Sequence, residues 1–85
     1  MARRPRTRSL KARFPRLRQI RQEQLGWEIV DILSRLPGNK PSISSIYRLE
    51  QGEAIRMSSA RRVFEVVNAA LNNALDPGRE LEMSW

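Results

Sequence analysis

Apolar residues recur at helical spacing in the first half of the chain and predict two helices there. Leu17 and Ile20 lie three positions apart and predict a first helix over about residues 15–24, which Gly26 interrupts. The apolar positions of residues 27–36 cover a wide face, as is typical of a helix packed against a core, and a Pro-Gly pair closes the segment. We therefore expect two short helices that meet at a glycine.

A third helix is predicted over about residues 42–51. Ser42 precedes the periodic segment and is suited to cap it, because its hydroxyl accepts a free amide of the first turn. Ile46 and Leu49 lie three positions apart and face the core, and Gly52 supplies a left-handed C-terminal stop. The other residues of this helix project mostly outward.

The most apolar segment of the chain follows and predicts a fourth helix. It begins at Ser58 or Ser59 and ends near Leu75, and its apolar face is wider than one small core needs. Near the end of the chain Leu81, Met83 and Trp85 alternate with polar residues, which is a weak strand signal. These patterns together predict four helices and a short tail.

Positive charge is concentrated at the N-terminal end. Nine of the 16 Lys and Arg residues fall in residues 1–22, which contain no Asp or Glu, whereas the rest of the chain is close to neutral. Residues 1–13 have hardly any apolar content, so we expect a flexible Arg-rich arm there, a domain over residues 14–76 and a tail over residues 77–85. A polyanion is the natural partner of such an arm, and a merely solvated tail is the alternative.

The composition argues against several classes of function. The chain has no Cys and no His and its carboxylates are scattered, so we expect no enzyme, no metal site, no cofactor and no small-molecule substrate. Its apolar stretches are shorter than the roughly 20 residues of a membrane span, and no apolar signal core is present. We therefore expect a cytoplasmic protein without a membrane partner, associated with the nucleoid if it binds DNA.

Two short helices joined by a turn, the second one capped and polar on its outer face, fit a helix-turn-helix that reads the DNA major groove. Residues 42–52, Ser-Ile-Ser-Ser-Ile-Tyr-Arg-Leu-Glu-Gln-Gly, resemble the recognition-helix signature of the Cro/repressor (XRE-type) family, Ser/Thr-x-x-x-Ile-x-x-Ile/Leu-Glu-x-Gly. The resemblance covers about residues 15–75. It implies an all-α fold, a small lambda repressor-like bundle of four to five helices. It also implies a homodimeric transcriptional regulator, repressor or activator, on a palindromic operator in duplex DNA.

The chain departs from the family pattern at two places. The turn after Leu36 is longer than usual, and the start of the second helix, residues 27–30, lacks the usual Gln/Ala-x-x-Leu-Ala sequence. Family members bind a phosphate at that start. Here Gly26 is the candidate cap, with backbone amides as the phosphate ligands.

The resemblance also implies which side chains contact DNA. The outward residues expected to meet bases are Ile43, Ser44, Tyr47 and Arg48, although Tyr47 is equally plausible as a packing residue over Pro41. Arg48 is the strongest candidate, because bidentate Arg to guanine is the commonest specific contact, and a solvated or phosphate-bound Arg48 is the alternative. Residues expected on phosphates are Asn39, Lys40, Ser45, Arg56, Ser58, Ser59 and Arg61. Residues expected to follow the minor groove or the backbone are Arg3, Arg4, Arg6 and Arg8.

Two structural roles complete the expectations. In this family an Arg of the first helix pairs with the Glu that Glu50 matches, and Arg21 is the candidate partner. Apolar residues beyond what one small bundle hides are expected at a dimer interface, the alternative being that the tail folds back on its own domain. These residues are Phe64, Val67, Leu71, Leu75, Leu81, Met83 and Trp85.

Two other functions stay open. The Arg-rich arm would serve equally well in an RNA-binding protein, although no stacking platform is evident among the five aromatic residues. An antitoxin-type module, which binds a protein partner through its tail and DNA through the third helix, has the same sequence features.

Overall fold

Helices and one small sheet make up residues 10–38 and 41–84, the part of the chain that the computed structural model describes. In chain order the elements are β1 (Lys11–Arg13), α1 (Leu17–Gln19, then Ile20–Leu25), α2 (Ile29–Arg35), α3 (Ile43–Glu50), β2 (Ile55–Arg56), α4 (Met57–Ala70), α5 (Pro77–Glu80) and β3 (Glu82–Ser84). Helix α1 begins with an α-helical turn and continues without a break as a π-helix. The predicted small helical bundle is confirmed, and the all-α expectation holds in part, because a three-stranded sheet accompanies the helices.

The sheet places β1 at its centre, with β2 and β3 antiparallel on either side. Ala12 lies opposite Ile55 on one neighbour and Met83 on the other, and it is completely buried. Lys11 and Arg13, which alternate with it, are exposed. Residues 11–13 are thus not part of a flexible arm, and the prediction is corrected there: the alternation hides one small apolar side chain under the sheet and leaves the charges in solvent.

One core collects apolar side chains from the helices and from the sheet. Along α4, Ala60, Val63, Phe64 and Val67 are buried at the i, i+3, i+4 and i+7 spacing of one helical face. The ring of Phe14, just after β1, packs against Phe64 with 5.6 Å between ring centroids. The sheet therefore covers part of the α4 face that appeared too wide from the sequence alone.

This packing corrects the predicted dimer interface. Phe64, Val67 and Leu81 are buried in the core of a single chain, because β1 and the tail fold over α4. Leu71 and Leu75 are partly buried against that core. Met83 is 49% exposed on β3, whereas Trp85 lies outside the described residues.

The local signals that end helices account for most of the observed boundaries. Gly26 adopts a left-handed conformation with φ of 64° and closes α1, as expected. The α4 helix differs from the prediction at both ends: it begins at Met57 with no side-chain cap, and it stops at Ala70. Asn72 and Asn73 both have positive φ, so the chain turns away before Leu75. None of the helices in residues 10–38 and 41–84 has the length and apolar character needed to cross a membrane.

Candidate functional site

A buried ion pair between Arg21 and Glu50 joins α1 to the end of α3. The guanidinium donates to both carboxylate oxygens, through Nε to Oε2 and through Nη2 to Oε1 at 2.9 Å, and its Nη1 donates to the carbonyl oxygen of Trp27 at 2.7 Å. The two side chains are only 9% and 6% exposed. The predicted pair is confirmed, and one arginine fixes α3 to both α1 and the loop before α2.

The hydrogen bonds from Arg21 to Glu50 raise the pKa of Arg21 above its ordinary value, although burial opposes this shift. The arginine therefore stays charged, and its guanidinium donates to both carboxylate oxygens of Glu50. A buried carboxylate whose two oxygens both accept hydrogen bonds from one arginine has a structural role. It does not belong to the surface of α3 that is open to a ligand.

That surface is the outward arc of α3. Ser42 caps the helix as predicted, accepting the amide of Ser45 at 3.2 Å. Ile46 and Leu49 are completely buried, so at about 100° per residue the opposite arc runs through residues 43, 47, 44, 48 and 45 in that order. Ile43, Ser44, Tyr47 and Arg48 are indeed exposed. The four predicted base-reading residues therefore lie on one face.

The two flanks of this arc differ in chemistry. On one flank Ile43 and Tyr47 line a shallow groove of about 270 Å³ together with Val30 of α2. All three are substantially exposed, Val30 at 57% and Tyr47 at 51%. Arg21, Glu28 and Ile29 complete the lining, and we call this side, with its three exposed apolar side chains, the apolar flank; it extends from α3 onto α2.

The other flank is basic. Ser45 and Arg48 line a groove of about 410 Å³ together with Lys11 of β1, Arg56 of β2 and Ser59 of α4; Ala54 and Ile55 complete the lining. No carboxylate is among these lining residues. Within the described parts of the chain, the side chains of Lys11, Arg48 and Arg56 have no hydrogen-bond or ion-pair partner. The structure thus brings together four of the predicted residues, Ser45, Arg48, Arg56 and Ser59.

Lys11 was not predicted as a site residue. It was assigned to the flexible arm, since the surrounding residues are Arg-rich. The alternation Lys11-Ala12-Arg13-Phe14 is the signal that could have placed it on a strand, with both charges on one face.

The start of α2 differs from the expected phosphate site. The N-cap is Glu28 and not Gly26, and the backbone amide of Glu28 donates to the carboxylate of Asp31 at 2.7 Å. Two carboxylates therefore stand in the first turn of α2, where a phosphate would need free amides and no negative charge. The expectation of an anion site at this helix start is wrong.

The remaining predicted phosphate ligands are dispersed. Ser58 is exposed in the first turn of α4, next to Ser59. Arg61 is exposed too, but it lines a different groove, with Met57 and Leu81. Residues that lie outside the described parts of the chain are Arg3, Arg4, Arg6, Arg8, Asn39 and Lys40.

A larger groove, of about 450 Å³, lies between α2 and α4 and includes none of the predicted contact residues. Trp27 and Arg35 form one wall, with the guanidinium 4.2 Å from the centroid of a Trp27 ring, and Val66 belongs to the other. This cation–π contact covers part of a tryptophan that is itself partly buried against the core.

No protein-family model, curated protein or solved structure matches this chain. The likeness of residues 42–52 to a recognition-helix signature therefore rests on the motif itself and on the geometry around α3.

Proposed function

We propose that the protein binds duplex DNA sequence-specifically as a transcriptional regulator, with α3 in the major groove. The observation that carries the proposal is the outward arc of α3, on which Ile43, Ser44, Tyr47 and Arg48 are exposed while the Arg21–Glu50 pair holds the helix to the rest of the domain. A major groove about 12 Å wide admits one α-helix, and a reading helix needs exposed side chains on a rigid support.

Each flank of the arc suits a different feature of base pairs. Arg48 is free to donate to O6 and N7 of guanine, and Ser44 is able to bond either kind of base. Ile43 and Tyr47, with Val30 beside them, suit the 5-methyl group of thymine. The proposed site therefore contains a guanine next to one or more thymines.

Phosphate contacts fix the position of the helix without reading sequence. Arg56, Ser58 and Ser59, which lie where β2 meets α4, are the proposed phosphate ligands, and Arg61 in the next turn is the less central candidate. The proposal retains the homodimer on a palindromic operator, with recognition helices about 34 Å apart. Since Phe64, Val67 and Leu81 are core residues, the contact between copies falls on other surfaces.

The test is selection of bound sequences from a random duplex pool, by the full-length chain and by the variant Arg48→Ala. A specific, palindromic site supports the proposal, and Arg48→Ala should relax the preference at one base pair, with a loss of about 1–3 kcal/mol of discrimination. The matched control is Arg79→Ala, which removes an exposed arginine from α5, the helix that precedes the edge strand β3.

Three outcomes would count against the proposal. If the selected sequences share no consensus, the protein does not bind DNA sequence-specifically. Preferential binding of structured RNA in competition favours the RNA-binding function. An equal loss of affinity on all sequences for Arg48→Ala would mean that Arg48 contacts a phosphate and not a base.

A further inference from the structure

Two like charges face each other across the sheet at the basic flank of α3. The register pairs Lys11 of β1 with Arg56 of β2, and both side chains lie on the solvent face, because their neighbours Ala12 and Ile55 are buried. Directly opposed side chains have Cβ atoms about 4.5–5.5 Å apart, and like charges in this position are destabilising. Such a pair needs a separate explanation.

The other end of β1 shows the opposite arrangement. Arg13 lies opposite Glu82 of β3, a residue of opposite charge, and its Nε donates to the carbonyl oxygen of Gly52 at 3.2 Å. On the same strand, therefore, one basic residue has complementary surroundings while Lys11 faces another cation. The groove around Lys11 adds Arg48 and two serines and contributes no carboxylate.

The end of β2 increases the positive potential further. Arg56 is also the N-cap residue of α4, its side chain makes no capping bond, and the first turn of α4 contains no acidic residue. Because Arg56 and Ser59 line the groove, the positive end of that helix dipole lies beside it. An oxyanion placed there would neutralise the repulsion and accept hydrogen bonds from both cations.

We propose that Lys11 and Arg56 form a clamp for one oxyanion, and that this anion is a backbone phosphate of the duplex bound by α3. Assigning the phosphate to DNA rests on the proposed function, whereas the oxyanion site itself does not. The clamp makes the sheet a second DNA-contacting element beside α3, and it gives Lys11 a positioning role.

Thermal unfolding in the absence of DNA tests the oxyanion site. Sodium phosphate is compared with sodium chloride at equal ionic strength, for the natural chain and for Lys11→Gln, Arg56→Gln and the control Arg79→Gln, each of which removes one positive charge. Phosphate stabilises folded proteins in general, so Tm should rise from chloride to phosphate in every protein. The informative quantity is the extra rise, the amount by which this increase in the natural chain exceeds the increase in the clamp variants. We expect the natural chain and Arg79→Gln to share this extra rise and both clamp variants to lose it. In low-salt chloride, Lys11→Gln should unfold at the same or a higher temperature than the natural chain.

DNA binding tests the source of the phosphate. Loss of one phosphate contact should reduce the slope of log K against log salt by about 0.9, so the advantage of the natural chain over Lys11→Gln should shrink about 3.5-fold between 50 and 200 mM salt. Lys11→Arg should restore the slope.

The results separate the two proposals. An extra rise in Tm that all four proteins share, or none at all, overturns the clamp even if DNA binding is specific. An ion-specific rise with an unchanged salt slope assigns the site to a free oxyanion and overturns the DNA phosphate. If the chain binds no duplex while the rise persists, the proposed function fails and the oxyanion site stands.

Discussion

The buried Arg21–Glu50 pair should dominate the stability of the helix arrangement, and Glu50→Gln tests this. The substitution keeps the size of the side chain and one acceptor oxygen but removes the counter-charge of an arginine that is 9% exposed. Breaking a buried pair from one side costs about 3–5 kcal/mol, because the remaining charge stays uncompensated. We expect about 3 kcal/mol, the lower end, since the amide oxygen still accepts one hydrogen bond.

Such a loss is large for a domain of this size. Unfolding free energies are about 5–15 kcal/mol for ordinary domains, and each kcal/mol corresponds to roughly 4–8 °C in Tm at this length. Glu50→Gln should therefore lower Tm by at least about 12 °C. The matched control is Glu23→Gln, the same chemical change at an exposed carboxylate on α1, which should cost less than about 0.5 kcal/mol.

A double-mutant cycle separates the pair from its surroundings. Arg21→Met combined with Glu50→Met removes both charges, so only the carbonyl oxygen of Trp27 loses a partner, at a cost of about 1–3 kcal/mol. Denaturant unfolding of the four proteins should give a double variant that is more stable than the sum of the two single losses predicts. Additive losses, or a loss below 1 kcal/mol for Glu50→Gln, would refute the role assigned to the pair.

Three other predictions concern the ends of α3 and of the chain. Ser42→Ala should lower the unfolding free energy by about 1 kcal/mol, because the amide of Ser45 loses its acceptor, and denaturant unfolding measures this. Deletion of residues 2–13 removes the central strand and should abolish cooperative unfolding, which circular dichroism during heating measures. Replacing thymine by uracil in the selected site should weaken binding about fourfold per methyl group lost, as for a buried methylene, and Ile43→Ala should erase this difference.

The helices were predictable because their signals are local. The spacing of Ile46 and Leu49, the capping Ser42 and the glycine stops at positions 26 and 52 fix most of α1 to α3 without reference to the rest of the chain. The end of α4 was not predictable in this way. The break lies within an apolar run and depends on Asn72 and Asn73, which tolerate the left-handed conformation without the clear signal of a glycine.

The sheet was missed because its pairings are not local. Three-residue strands carry little periodicity of their own, and β1 pairs with segments more than 40 residues away in the chain. Its single buried side chain is Ala12, the smallest that could mark an inward position, and it lies among arginines. The same omission caused the error in the dimer interface, because β1 and the tail cover part of the Phe64 face of α4.

The start of α2 limits how the proposed complex is oriented. Glu28 and Asp31 place two carboxylates beside the apolar flank of α3, so a close phosphate there would be repelled. Lys11 and Arg56 place two cations beside the opposite flank. If α3 lies in the major groove, one phosphate strand is therefore attracted to the sheet, and the other keeps its distance from α2. The helix should then sit closer to the strand on the sheet side, with Arg48 nearest to it and with Ile43, Tyr47 and Val30 over the bases of the far side. A site in which the guanine read by Arg48 lay on the α2 side of the thymines would contradict this orientation.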